Sequence, residues 1–229
     1  MKKSRTKEYY QIFALRTLGN FLVITSLFFV GKTFYQPIKE EIRYFMDKKT
    51  AKKYIVSNSS EDKEIKKGLL AKSVDLKSVE FLVPEDSFFD IIIPKIGANA
   101  RILPDIDTSK EDVYLNALKN GVAHAAGTAF PGEGGHIFLF AHSTDYFWNV
   151  GTYNAVFYLL YKLEKGDDVI LFYKNQRYAY KITDKKIVDP TEIKYLIRKT
   201  NREFLTLQTC WPPGTTLKRI LLFATRVKE

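Results

Sequence analysis

Residues 203–225 read EFLTLQTCWPPGTTLKRILLFAT: two apolar runs of strand length separated by a Pro-Pro-Gly turn. Phe204, Leu205, Leu207 and Cys210 alternate imperfectly with polar residues, and residues 219–225 are rich in Leu and Ile. Runs of this kind, bounded by Gly and Pro, predict β-strands. The pattern recurs upstream. Residues 90–94 (DIIIP) and 98–103 flank a Lys-Ile-Gly turn, and residues 136–142 (HIFLFAH) form a continuous apolar run after Gly134 and Gly135. Residues 168–173 and 176–187 pair as a hairpin across Lys174-Asn175. Val113, Leu115, Ala117 and Leu118 fit a short helix stopped by Gly121. Many short strands at regular spacing predict an all-β domain over residues 84–229, with barrel and sandwich both open.

The N-terminal third has a different character. Residues 1–11 form a basic tail holding Lys2, Lys3, Arg5 and Lys7. Residues 12–35 (IFALRTLGNFLVITSLFFVGKTFY) are about long enough to cross a bilayer, which takes roughly 20 residues. The preceding basic cluster favours a cytoplasmic N-terminus, and no small-x-small cleavage site follows the apolar run, so a retained transmembrane signal-anchor is expected. Residues 36–83 are rich in Lys, Glu, Asp and Ser and read as a charged extracellular stalk.

The formal net charge of +10 first suggests a nucleic-acid partner. Its placement argues otherwise. Residues 1–80 hold 17 Lys/Arg against 9 Asp/Glu, whereas residues 81–229 hold 19 against 17. A nucleic-acid-binding domain concentrates its basic residues on the folded face, so no nucleic acid is expected as a partner.

The chain has one cysteine, so it forms no intramolecular disulfide. A thiolate is a stronger nucleophile than a hydroxyl at neutral pH. Cys210 stands at a strand end opening into the proline-braced loop, which places it at a rim; by position alone an inert buried thiol is equally compatible. A nucleophilic thiol needs an acid/base partner. His142 also ends an apolar run and can share that rim. His136 begins the same run and reads as structural or exposed, and His124 lies where it could line a groove. Arg219 opens the strand after the Cys210 loop, so a hairpin returns its guanidinium toward the thiol, where acyl transfer needs positive charge. Arg226 reads as a solvated residue of a frayed terminus.

Together these residues resemble the sortase family. Thr206-Leu207-Gln208-Thr209-Cys210, then Pro-Pro-Gly-Thr, then Lys218-Arg219 leading a Leu-rich strand, is similar to the family's TLxTC signature followed by Arg. Ile92-Ile93-Pro94-Lys95-Ile96-Gly97, Gly127-Thr128, Pro131-Gly132-Glu133, Ala141-His142-Ser143 and Lys165-Gly166-Asp167-Asp168 fall in the family's order, with Ala141 where Gly is usual. The resemblance implies a closed, mainly eight-stranded β-barrel with short helices. It implies Cys210 as nucleophile, His142 as general acid/base and Arg219 as oxyanion or substrate stabiliser, with His124, Thr209 and Trp211 expected along the substrate groove. It implies a cysteine transpeptidase acting on exported proteins with C-terminal sorting signals, with an amine of a cell-wall peptide or a pilin-like Lys as acceptor. No cofactor is expected. Glu133 and Asp145 are available acids, yet their spacing does not resemble a calcium loop. A hydrolytic cysteine peptidase and a catalytically silent peptide-binding barrel are the other readings of the same residues.

Overall fold

The computed structural model describes residues 2–70, 78–143 and 156–227. The chain divides into two compact units, residues 1–40 and 41–229. Helix α1 (Lys2–Lys49) supplies all of the first. Within it Glu8–Lys32, 25 residues, is long and apolar enough to cross a membrane, and none of it is buried. Phe21, Leu22, Ile24 and Leu27 stand exposed around its circumference. A helix apolar all round suits lipid, and this one fits a single-pass membrane anchor.

The second unit is a closed barrel of eight strands. They are β3 (Phe89–Ile93), β4 (Ala98–Ile106), β5 (Val122–Ala125), β6 (His136–Phe140), β7 (Asp168–Tyr173), β8 (Gln176–Val188), β9 (Phe204–Trp211) and β10 (Lys218–Arg226). Around the barrel the order is β10-β8-β7-β3-β4-β5-β6-β9, closed by the β9–β10 pairing. Alternation fills the lumen: Ile91, Ile93, Leu139, Leu171, Leu205, Leu207, Tyr180 and Leu222 interdigitate there. Each buried aliphatic side chain contributes roughly 1.5–3 kcal/mol. Helix α3 (Glu111–Leu118) crosses from β4 to β5, laying Ala117 and Leu118 against Ala123 on the outer wall.

Residues 41–70 and 78–83, where composition suggests a stalk, hold regular structure, and two short strands within them pack on the barrel. Strands β1 (Lys53–Val56) and β2 (Val79–Leu82) pair in parallel, and α2 (Ser60–Leu70) follows β1. Tyr54, Val56 and Leu82 pack on Ile92, Ile170 and Phe172, the outward face of β3 and β7. The Arg43 guanidinium donates to the Ile96 carbonyl at 2.9 Å and to the Tyr54 hydroxyl at 3.2 Å. Gly97 closes the β3–β4 connection at φ +59°, and a Cβ there would fall 2.7 Å from Arg43 Nη1.

Because β1 and β2 cover its outer face, β3 is buried on both sides, Asp90 included. Asp90 Oδ2 accepts from the backbone N–H of Glu85 (3.1 Å) and Asp86 (3.3 Å), while Oδ1 is buried without a hydrogen bond. Burial, opposed by those two N–H groups, pushes its carboxyl up to about 8.

Candidate active site

β6 and β9 run parallel, with His136 opposite Phe204 and Phe140 opposite Gln208. Side chains on a strand alternate faces. Leu205 and Leu207 face the lumen with Ile137 and Leu139, so Gln208 and Cys210 share the outer face with Phe138 and Phe140. Beyond Phe140 the pairing continues: Ala141 N–H donates to the Gln208 carbonyl (3.2 Å), and Thr209 Oγ1 donates to the Ala141 carbonyl (2.8 Å). His142 therefore comes level with Cys210 on that face. On the other side of β9, Arg219 of β10 pairs directly with Cys210. Strand directions thus bring three residues, spread over 78 positions of sequence, to one rim.

All three line a groove of about 280 Å³. Its floor is the outer face of β6 and β9. One wall is α3, through Glu111, Tyr114 and Leu118; the other is the segment after β8, through Pro190, Ile193 and Leu196. Cys210 is half-buried. Burial pushes its thiol up, and the Arg219 charge pulls it back. The Arg219 guanidinium is held by its own loop, donating from Nη1 to the carbonyls of Thr216 and Lys218, both at 3.1 Å. The Arg219 charge opposes desolvation without overcoming it, so the thiol stays above its ordinary value; a fixed cation there favours an oxyanion formed next to it.

The other expected residues fall differently. Thr209 lines the groove, but its hydroxyl is spent on Ala141. His124 does not reach the groove. It pairs with Leu139 across β5 and β6 and so faces the lumen, fully buried, with its ring 4.4 Å from Phe130 and 5.7 Å from Phe89. Its Nδ1 accepts from the Asp105 N–H at 3.3 Å, and its Nε2 meets Thr128 Oγ1 at 2.9 Å. Trp211 falls one residue past Cys210 and has the opposite facing; it packs on Tyr161, ring centroids 5.3 Å apart, against the core.

His136 shares the outer face with His142, but six residues of strand, about 20 Å, separate them. It is buried against Thr206 Oγ1 at 2.8 Å, and burial drops its imidazole to about 4. Arg226 is part of β10, not a frayed tail, with Nη1 3.0 Å from Glu203 Oε2. Glu133 accepts from the Phe130 N–H, and Asp145 lies outside the described residues. Among the described residues no three His, Cys, Asp or Glu side chains converge as a metal cluster would. The groove walls are what sequence reasoning missed. Tyr114 and Leu118 stand one helical turn apart on α3, a spacing that could have marked that wall.

A closed eight-stranded barrel, with a thiol, an imidazole and a guanidinium lining one groove on its outer face, defines a thiol-site barrel protein. The Sortase domain family model matches residues 91–227. Sortase D of Bacillus subtilis (strain 168) is 30% identical over 138 residues, covering 59% of this chain and 61% of that relative, less than two thirds of its length. The structure of sortase C-1 from Actinomyces oris is 27% identical with a TM-score of 0.52, covering 70% of this chain and 82% of that one. Sortase C2 of Group B Streptococcus Pilus Island 1 is 27% identical with a TM-score of 0.51, covering 61% and 73%. The chain belongs to the sortase family.

Proposed function

We propose that this protein is a membrane-anchored cysteine transpeptidase. It cleaves a C-terminal sorting motif of the Leu-Pro-x-Thr-Gly kind in exported proteins and passes the acyl group to an amine of the cell wall or of another protein subunit. The observation that carries the reading is the strand register, extended by the Ala141 hydrogen bonds, that sets Cys210 between Arg219 and His142 on the groove floor. Cys210 Sγ gives its proton to His142 and attacks the carbonyl carbon of the Thr–Gly bond. Arg219 stabilises the oxyanion with its guanidinium N–H donors. As the intermediate collapses, His142 protonates the leaving amine, and the acyl group remains on Sγ as a thioester. An incoming amine then loses its proton to His142, attacks the thioester and releases the thiol. The groove shelters the thioester from water, which favours transfer over hydrolysis.

Lys2, Lys3, Arg5 and Lys7 precede the Glu8–Lys32 span, which supports a cytoplasmic N-terminus and an extracellular barrel. A relative named for a pilus island supports keeping a protein-subunit amine among the acceptors. The test uses the full chain in detergent with a library of Leu-Pro-x-Thr-Gly-type peptides, read by intact mass. An acyl adduct on the native chain, its absence in Cys210→Ala, and ligated product on adding a glycine or lysine amine are expected. No adduct with any peptide, or an equal adduct on Cys210→Ala, refutes the mechanism; hydrolysis unaffected by added amine makes the protein a peptidase instead.

A further inference from the structure

The last turns of α1, residues 41–49, belong to the same compact unit as the barrel. Three side chains there grip it in close succession. Arg43 holds the Ile96 carbonyl. Tyr44 packs against the barrel core. Glu41 engages both of its carboxylate oxygens: Oε1 accepts from the Tyr161 hydroxyl, and Oε2 stands 3.1 Å from Lys162 Nζ. The Lys162 ammonium also lies over the Tyr44 ring, 5.3 Å from its centre, and over the Tyr161 ring at 4.7 Å.

Tyr161 leads directly to the strand that carries Cys210. It lies on the 3-10 helix Tyr158–Lys162, whose Leu159 and Leu160 are buried in the core. Lys185 Nζ fixes the same segment by donating to the carbonyls of Tyr161 and Leu163, both at 2.9 Å. The residue is thus held at its backbone by Lys185 and at its hydroxyl by Glu41. Against its ring packs the Trp211 indole, with centroids 5.3 Å apart and planes inclined at 52°. Trp211 is the last residue of β9, and Trp211–Lys218 is the end rung of the β9–β10 ladder; the next rung is Cys210–Arg219. The ends of elements fray first. With Trp211 clamped, the rung behind it stays closed.

We propose that Glu41 and Tyr161 are positioning residues for Cys210: their contact pins Trp211, and through it the Cys210–Arg219 rung on the groove floor. Neither Glu41 nor Tyr161 lines the groove, and Trp211 serves it from the core side. The effect on catalysis rests on the transpeptidase reading; the placement of the thiol beside Arg219 does not.

The test uses the full chain in detergent, as wild type, Glu41→Ala, Glu41→Gln and Tyr161→Phe. The first readout is the pH midpoint of Cys210 alkylation by iodoacetamide, which needs no substrate. A thiol that drifts from Arg219 loses the charge that offsets its burial. The midpoint should therefore rise in Glu41→Ala and Tyr161→Phe, and return in Glu41→Gln, whose amide oxygen still accepts from the hydroxyl. His142 and Arg219, the groups beside the thiol, are intact in all three. The second readout is the rate of acyl-adduct formation against the concentration of a Leu-Pro-x-Thr-Gly-type peptide. Its saturated value should fall on the order of 10-fold in Glu41→Ala and Tyr161→Phe with half-saturation unchanged, because attack geometry and not binding is lost. The two changes combined should be no worse than either alone. A lower Tm with midpoint and saturated rate both unmoved makes the contact a brace of the fold only and overturns the proposal. So does an unmoved midpoint in Tyr161→Phe, which keeps the ring on Trp211, or a Glu41→Gln chain as impaired as Glu41→Ala. Midpoints that shift as expected in a chain forming no adduct with any peptide would sink the transpeptidase reading and support the positioning.

Discussion

Replacing Asp90 by Asn should flatten the pH dependence of stability, and the size of that change follows from burial. In the unfolded chain the Asp90 carboxyl titrates at its ordinary 3.8; in the folded barrel it is pushed up to about 8. Between those values the folded state holds a proton that the unfolded state has released. The stabilising contribution is therefore complete below pH 3.8 and is lost as pH rises toward 8. The slope is about 1.4 kcal/mol per pH unit, which integrates to roughly 3–4 kcal/mol between pH 5 and pH 8, or about 10 °C in Tm for a chain of this size. Asn keeps an oxygen for the N–H groups of Glu85 and Asp86 and has no proton to lose. Thermal unfolding of the detergent-solubilised wild type and Asp90→Asn at half-unit pH steps measures the difference between their slopes. The variant should gain on the wild type steadily toward pH 8. Parallel profiles would refute the reasoning and mean that Asp90 ionises in the folded barrel as it does in water.

His136 carries the opposite sign: its imidazole falls from 6.5 to about 4 on folding, so its contribution is full above pH 6.5 and is lost as pH falls toward 4. His136→Gln should therefore resist acid unfolding better than wild type across that window, checked by Tm between pH 4 and 6.5. Arg219→Gln should cut kcat/KM about 10²–10³-fold, the usual effect of losing one oxyanion donor. Because the Arg219 charge offsets part of the upward push that burial gives the half-buried thiol, the ascending limb of the variant's pH–rate profile should also move to higher pH. An unmoved limb would place Arg219 away from the thiol.

The barrel strands were legible where apolar runs lie between turn residues. The DIIIP run, the hairpin across Lys174-Asn175 and the two runs flanking Pro212-Pro213 all became strands. The VAHA run of β5 was not, since four residues buried throughout show no alternation. Missing β5 also hid which way His124 faces, because facing is decided by pairing with Leu139 and not by any local feature. The residues read as stalk misled for a similar reason. Each of β1 and β2 is four residues long, and their apolar anchors Tyr54, Val56 and Leu82 are scattered among lysines and glutamates. Cys210, His142 and Arg219 could be singled out because strand ends and a proline-rich loop mark a rim. Of the groove walls only α3 left a local sign, the one-turn spacing of Tyr114 and Leu118; the segment after β8 meets the floor only through tertiary packing.

The placement of β9 has a consequence for how the protein is made. In chain order β9 and β10 follow every other barrel strand, yet β9 enters between β6 and β10 to complete the ring. Until they arrive, β6 and β8 are bare edges of an open sheet, able to pair with other chains. Cys210 and Arg219 travel on these last strands, while His142 waits at the end of β6. On the proposed topology, with the N-terminus held in the cytoplasm, the segment that follows the anchor would cross the membrane with no assembled thiol–imidazole grouping. The grouping of thiol, imidazole and guanidinium and the seal on the sheet's edges form in the same event, so a barrel that fails to close is also one that never brings the three together.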